Sequence, residues 1–118
     1  MRKVVKIGDK DYSMKSSAYT QFKYKNDTGR RLLEDINKIS KMKTSDTDGA
    51  MQLTDDLIEL VLTMAYIMID EADDKQVTTY EEFLKSVDVV FDVDLMNEVL
   101  ECAIAPFQGG IQKNSQNQ

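Results

Sequence analysis

The stretch Leu60-Val61-Leu62-Thr63-Met64-Ala65-Tyr66-Ile67-Met68-Ile69 decides the fold. Wound as a helix it is apolar on every side, and such a helix has to be enclosed by other elements. It is about half the ~20 residues a membrane span needs, so the reading is a central core helix and no membrane segment. The helix is expected over about Ala50 to Ala72, with Met64 and Met68 on one inner face.

On its N-terminal side, residues 3–14 read as a β-hairpin. Val5 and Ile7 alternate with Lys6, Gly8-Asp9 supplies the turn, and Tyr12 and Met14 alternate on the return. A lone hairpin is marginal in water, so it must lie on helices or pair with another chain, and its exposed edge is a candidate contact. Ser16 and Ser17 can cap a short helix from Ala18, with Tyr19, Phe22 and Tyr24 as aromatic surface and Gly29 at the turn that follows. A helix is predicted over Arg30 to Lys41, with Leu32, Leu33, Ile36 and Ile39 inward and Arg31, Glu34, Asp35 and Lys38 toward water. Met42 to Gly49 is polar and reads as a surface loop.

On the C-terminal side, Thr78-x-x-Glu81 and Thr79-x-x-Glu82 both fit a capping box, with Phe83, Leu84 and Val87 as the inner stripe of the helix they start. A last helix is expected from Val93 to Ala105, capped by Asp92. Pro106 should end it, leaving residues 108–118 as a disordered tail. The expected fold class is therefore mainly α (α+β). A short N-terminal hairpin precedes about five helices spanning 17–105, all in one compact domain over residues 1–107.

Composition narrows function mainly by what is missing. The 118 residues contain no histidine, no tryptophan and a single cysteine, Cys102. Histidine is the commonest general base and zinc ligand, so its absence argues against an enzyme and against a metal or other cofactor. Cys102 has no disulfide partner and the N-terminus has no signal-peptide pattern, so the expected location is a reducing cytoplasm. Charge is sharply divided: residues 1–43 hold 12 Lys and Arg against 5 Asp and Glu, whereas residues 44–118 hold 3 against 16. The two parts can attract each other within one domain, or pair head to tail between copies. Nucleic-acid binding is not expected, because the acidic part repels phosphate.

Three motifs invite a site. Asp46-Thr47-Asp48-Gly49 resembles a fragment of a calcium loop, but that register puts Thr44 first and Asp55 last, where a bidentate Glu is required. Asp70-Glu71-Ala72-Asp73-Asp74 and Asp88-x-x-x-Asp92-x-Asp94 have no His, Cys or glycine-rich loop beside them, so they read as solvated helix ends. Of the seven methionines, Met51 and Met96 lie near helix starts among acidic residues. With Asp92, Asp94 and Glu98 they are the candidate partner-binding residues, since thioethers adapt to irregular partners.

The order of segments then carries a resemblance. A hairpin followed by Ser16-Ser17-Ala18-Tyr19-Thr20-Gln21-Phe22-Lys23-Tyr24-Lys25-Asn26-Asp27-Thr28-Gly29-Arg30-Arg31-Leu32-Leu33-Glu34-Asp35-Ile36 resembles the tail assembly chaperones of long-tailed phages and prophages of Gram-positive bacteria. The likeness runs loosely up to Phe107. It implies a host-cytoplasmic factor, absent from the mature virion, that binds the hydrophobic tape-measure protein and recruits tail-tube subunits. That family also tends to make a longer product by a −1 frameshift, and Gln112-Lys113-Asn114 can be encoded by a slippery heptamer. The main rival is a small acidic phage-encoded inhibitor or adaptor that binds a host protein. A small enzyme using Asp and Tyr side chains is a further alternative.

Overall fold

The computed structural model describes residues 1–44, 54–72, 79–87 and 93–116. Among these, the chain forms an N-terminal antiparallel hairpin followed by five helices, the expected fold class. The hairpin strands are β1 (Arg2–Ile7) and β2 (Lys10–Lys15), in a register that pairs Val5 with Tyr12 and Ile7 with Lys10. Gly8 holds φ 66° at the turn, the positive φ that a two-residue hairpin turn demands at its first position. Met1 and Ser16 extend the ladder: the terminal ammonium donates to the Ser16 carbonyl at 2.7 Å, and the Ser16 N–H donates to the Met1 carbonyl at 2.8 Å.

The helices are α1 (Ala18–Thr28), α2 (Leu32–Thr44), α3 (Asp55–Glu71), α4 (Tyr80–Ser86) and α5 (Val93–Gln116). α3 is the central one, buried along both sides from Leu57 to Ile69, with Met64 and Met68 each 1% exposed. The hairpin lays Val5, Ile7, Tyr12 and Met14 on α3 and α5, which is how a two-stranded sheet too small to stand alone is stabilised. α1, α2 and α4 close the remaining sides of α3.

Several boundaries and faces differ from the sequence reading. α2 runs on through Met42 and Lys43 to Thr44, where a loop was expected. α3 begins at Asp55 because the Thr54 hydroxyl accepts the Leu57 N–H at 3.1 Å, an N-cap that fixes the start later than Ala50. Thr79, one of the two threonines expected to start α4, caps it by accepting from the Glu82 N–H at 3.1 Å, and Thr78 lies outside the described residues. α5 continues through Pro106 to Gln116, so a helix occupies most of the stretch expected to be a disordered tail. The Pro106 ring is on the exposed side, while Leu100, Ala103, Ile104 and Phe107 carry one apolar stripe across it onto the core. Packing of that stripe outweighs the single backbone hydrogen bond that proline removes.

Gly29 ends α1 at φ 77°, donating its N–H to the Lys25 carbonyl at 2.8 Å. A Cβ there would meet nothing within 4 Å, so only the left-handed backbone opposes a side chain. Gly29→Ala is expected to lower the unfolding free energy by about 1–2 kcal/mol in urea titration. No change would mean that the turn relaxes freely.

Candidate functional site

α1 is anchored by polar bonds more than by apolar burial. Ser17 and Thr20 form a capping box, the Ser17 hydroxyl accepting the Tyr19 N–H at 3.2 Å and Thr20 Oγ1 accepting the Ser17 N–H at 2.8 Å. Both hydroxyls then donate to one carboxylate, Ser17 to Glu71 Oε2 at 2.8 Å and Thr20 to Glu71 Oε1 at 2.6 Å. One turn on, Lys23 pairs with Asp70 at 2.6 Å and with Asp27 at 3.0 Å. Burial lowers the Lys23 pKa, but these hydrogen bonds overcome that and raise it above its ordinary value. Asp70 and Glu71, expected as a solvated helix end, thus hold α1 onto the end of α3.

The angle between α1 and α2 is set by a second network. The Tyr24 hydroxyl donates to Asp35 Oδ2 at 2.5 Å, and Arg30 Nε donates to the same oxygen at 3.0 Å. Asp35, expected to face water, is buried at 5% exposure, so its charge is compensated by these two donors.

With its inner face fixed by Thr20 and Tyr24, α1 turns its aromatic face outward. Tyr19 is 59% exposed and Phe22 is 64% exposed, and Leu33 on α2, expected inside, is 42% exposed. Between the two helices lies a groove of about 370 Å³ lined by Gln21, Phe22, Lys25, Arg31, Leu32, Leu33 and Glu34. Its floor is the buried Leu32, and its rim carries two cations and one carboxylate. Arg31 and Glu34 approach only to 3.7 Å, both side chains 70% exposed, a contact that contributes little.

A second cleft, of about 280 Å³, lies among Asp27, Thr28, Arg30, Glu59, Thr63, Tyr66, Ile67 and Tyr80. Its ionic groups are largely engaged, Asp27 with Lys23 and Arg30 with Asp35. Tyr66 and Tyr80 meet edge to face at 5.3 Å, and the Tyr80 hydroxyl is hydrogen-bonded to Thr63 at 3.0 Å. Burial, and then the nearby Asp70 carboxylate, raise the Tyr66 hydroxyl pKa. That direction is opposite to what a tyrosine general base near neutral pH requires. Burial likewise raises the Cys102 thiol. Among the described residues no group of three or more His, Cys, Asp or Glu could hold a metal ion. No described helix is long and apolar enough to cross a membrane.

Of the partner-binding residues expected from sequence, the described ones are Asp94, Met96 and Glu98, and these three do not share one exposed surface. Met96 is fully buried, because it falls on the inner stripe of α5 with Val99, Cys102 and Ala103. A partner cannot reach it. Asp94 is exposed and Glu98 half-buried on the same helix. Met51, Asp92 and the calcium-like Asp46 to Gly49 lie outside the described residues, and Gln112, Lys113 and Asn114 lie on the last turns of α5. The groove that the structure does display was only half visible. Tyr19 and Phe22 read as aromatic surface, but Leu33 was assigned to the core by its spacing alone.

No protein-family model, no curated protein and no solved structure matches the chain.

Proposed function

We propose that this protein is a non-enzymatic tail assembly chaperone that binds the tape-measure protein, keeps it soluble and recruits tail-tube subunits in the host cytoplasm. The observation that carries the binding half is the exposed apolar surface of α1 and α2, where Phe22 and Leu33 line an open groove and Tyr19 stands exposed one turn before Phe22. Exposed apolar surface gathered into a groove is what helix-binding proteins use, and a hydrophobic helical client needs such cover before assembly. The choice of the tape-measure protein as client rests on the segment order of residues 1–36 and the acidic C-terminal part, and not on the groove. In this reading the protein leaves before the virion is complete, and a longer frameshifted form beginning near Gln112-Lys113-Asn114 adds a second binding unit.

The charge division has an intramolecular use, since Lys3 pairs with Glu101 at 3.0 Å and Lys23 with Asp70 at 2.6 Å across it. Head-to-tail association of copies is retained in the proposal for the basic groups outside those pairs.

Co-expression with the tape-measure protein encoded beside it tests the reading. The client is expected to become soluble and to co-purify, and the double substitution Tyr19→Ser, Phe22→Ser is expected to return it to the pellet without unfolding the chaperone. A client that stays insoluble while one host enzyme is captured and inhibited would replace this reading with that of a host-directed inhibitor or adaptor.

A further inference from the structure

The reading of the protein as a client-binding factor leaves open what the client must present, and the groove between α1 and α2 carries that answer. Its apolar part is built from both walls, Phe22 from α1 and Leu33 from α2 with buried Leu32 beneath, and Tyr19, outside the lining, is exposed one turn before Phe22 on α1. Residues three apart on a helix stand one above the other, so Tyr19 and Phe22 form a ridge against which a second helix can lie. A volume of about 370 Å³ admits more than one apolar side chain.

Charge fixes the rest. Every lining residue falls between 21 and 34, inside the part of the chain where bases outnumber acids. The Lys25 ammonium has no carboxylate partner among the described residues, and Arg31 is held only by the loose, exposed contact with Glu34. The remainder of the chain carries the excess negative charge that brings the total to −6. An acidic partner is therefore repelled by the acidic part of the chain and drawn to the basic part, where this groove sets two cations beside exposed apolar side chains, whereas a basic partner is drawn elsewhere.

We infer that the α1–α2 groove takes an amphipathic helical segment of another protein, its apolar side chains seated on Tyr19, Phe22 and Leu33 and its flanking carboxylates paired with Lys25 and Arg31. A helix is favoured over a strand because the site is an open trough between two helices and offers no sheet edge. It is favoured over nucleic acid because the acidic bulk of the chain opposes an extended phosphate backbone.

Three synthetic helical peptides of equal length and identical leucine spacing, with glutamate, glutamine or lysine flanks, test this by fluorescence anisotropy against the full chain. The glutamate peptide is expected to bind about tenfold or more tighter than the lysine peptide, with the gap closing at high salt as surface charges are screened. The substitutions Lys25→Glu and Arg31→Glu together, on exposed positions that leave the circular dichroism spectrum unchanged, are expected to reverse that order. Phe22→Ala is expected to weaken all three peptides.

Equal binding of the three peptides, no binding by any, a charge-reversed protein with unchanged preference, or preferential binding of a single-stranded oligonucleotide overturns the inference. The two readings fail separately. If the tape-measure protein is kept soluble but the peptide order does not depend on Lys25 and Arg31, the chaperone stands and this docking chemistry falls. If the peptide order reverses as stated while the tape-measure protein stays insoluble, the docking chemistry stands and the client was wrongly chosen.

Discussion

Phe83→Ala is expected to destabilise the fold by about 3–5 kcal/mol, read as a lower urea midpoint. Phe83 is 1% exposed and meets Tyr12 of the hairpin edge to face at 5.6 Å and Tyr66 of α3 at 5.8 Å. It is the one fully buried apolar side chain that the seven-residue α4 contributes. A helix so short has no stability of its own, so truncating its anchor opens a cavity and also frees the helix. The bond between the Tyr12 hydroxyl and Ser86 at 3.0 Å, and that from Ser86 to the Phe83 carbonyl at 2.7 Å, depend on the same docking. Against a typical total stability of about 5–15 kcal/mol, the loss is about a fifth of the whole or more. Leu84→Ala is the control: Leu84 is 38% exposed, and its truncation is expected to change stability by about 0.5 kcal/mol or less. A loss of under about 1 kcal/mol for Phe83→Ala would mean that α4 is not held through this ring.

The contrast between those neighbours marks how far the sequence was legible. Hydrophobic spacing identified α3, the hairpin faces and the existence of α2, α4 and α5, because those elements bury most of what they make apolar. It placed Leu33 and Leu84 inside because spacing records which residues can face a core, and says nothing of whether another element arrives to cover them. Asp35 shows the converse. Its type predicts a solvated position, yet Tyr24 and Arg30 both donate to Oδ2, and no periodicity registers a partner eleven residues earlier. Pro106 was read as a stop from its missing N–H, but Phe107 packs on the core beyond it and the helix passes through. The groove was obscured by the same limit. An exposed Phe22 and a buried Tyr24 share one short helix, and the polar anchoring of that helix by Glu71, Asp70 and Asp35 decides which of the two faces outward.

That anchoring also makes the Tyr24, Asp35 and Arg30 network the second sensitive point of the fold. Asp35→Ala removes the acceptor of two donors and leaves the fully buried Tyr24 hydroxyl without its described partner. Arg30 is 41% exposed and can recover water, so the expected cost is about 2–3 kcal/mol, below that of breaking a fully buried pair. Tyr24→Phe should cost about 1 kcal/mol, and the double substitution less than the sum of the two, since both remove one shared bond.

The same network predicts an alkaline limit. Burial, then the hydrogen bond to Asp35, raise the Tyr24 hydroxyl above its ordinary 10.0, with Arg30 opposing in part. The folded chain therefore holds this proton more tightly than the unfolded chain does. Its contribution is fully present below pH 10 and is lost as pH rises from there through the folded pKa. Lys23, raised by Asp70 and Asp27 against its burial, loses its contribution in the same direction. Urea midpoints of the parent chain are thus expected to fall above pH 10. Those of Tyr24→Phe should fall less steeply, retaining the contributions of the other raised groups, Lys23, Tyr66 and Cys102 among them. Parallel slopes in the two proteins would place the alkaline sensitivity elsewhere. They would leave Tyr24 as a packing residue whose proton is indifferent to folding.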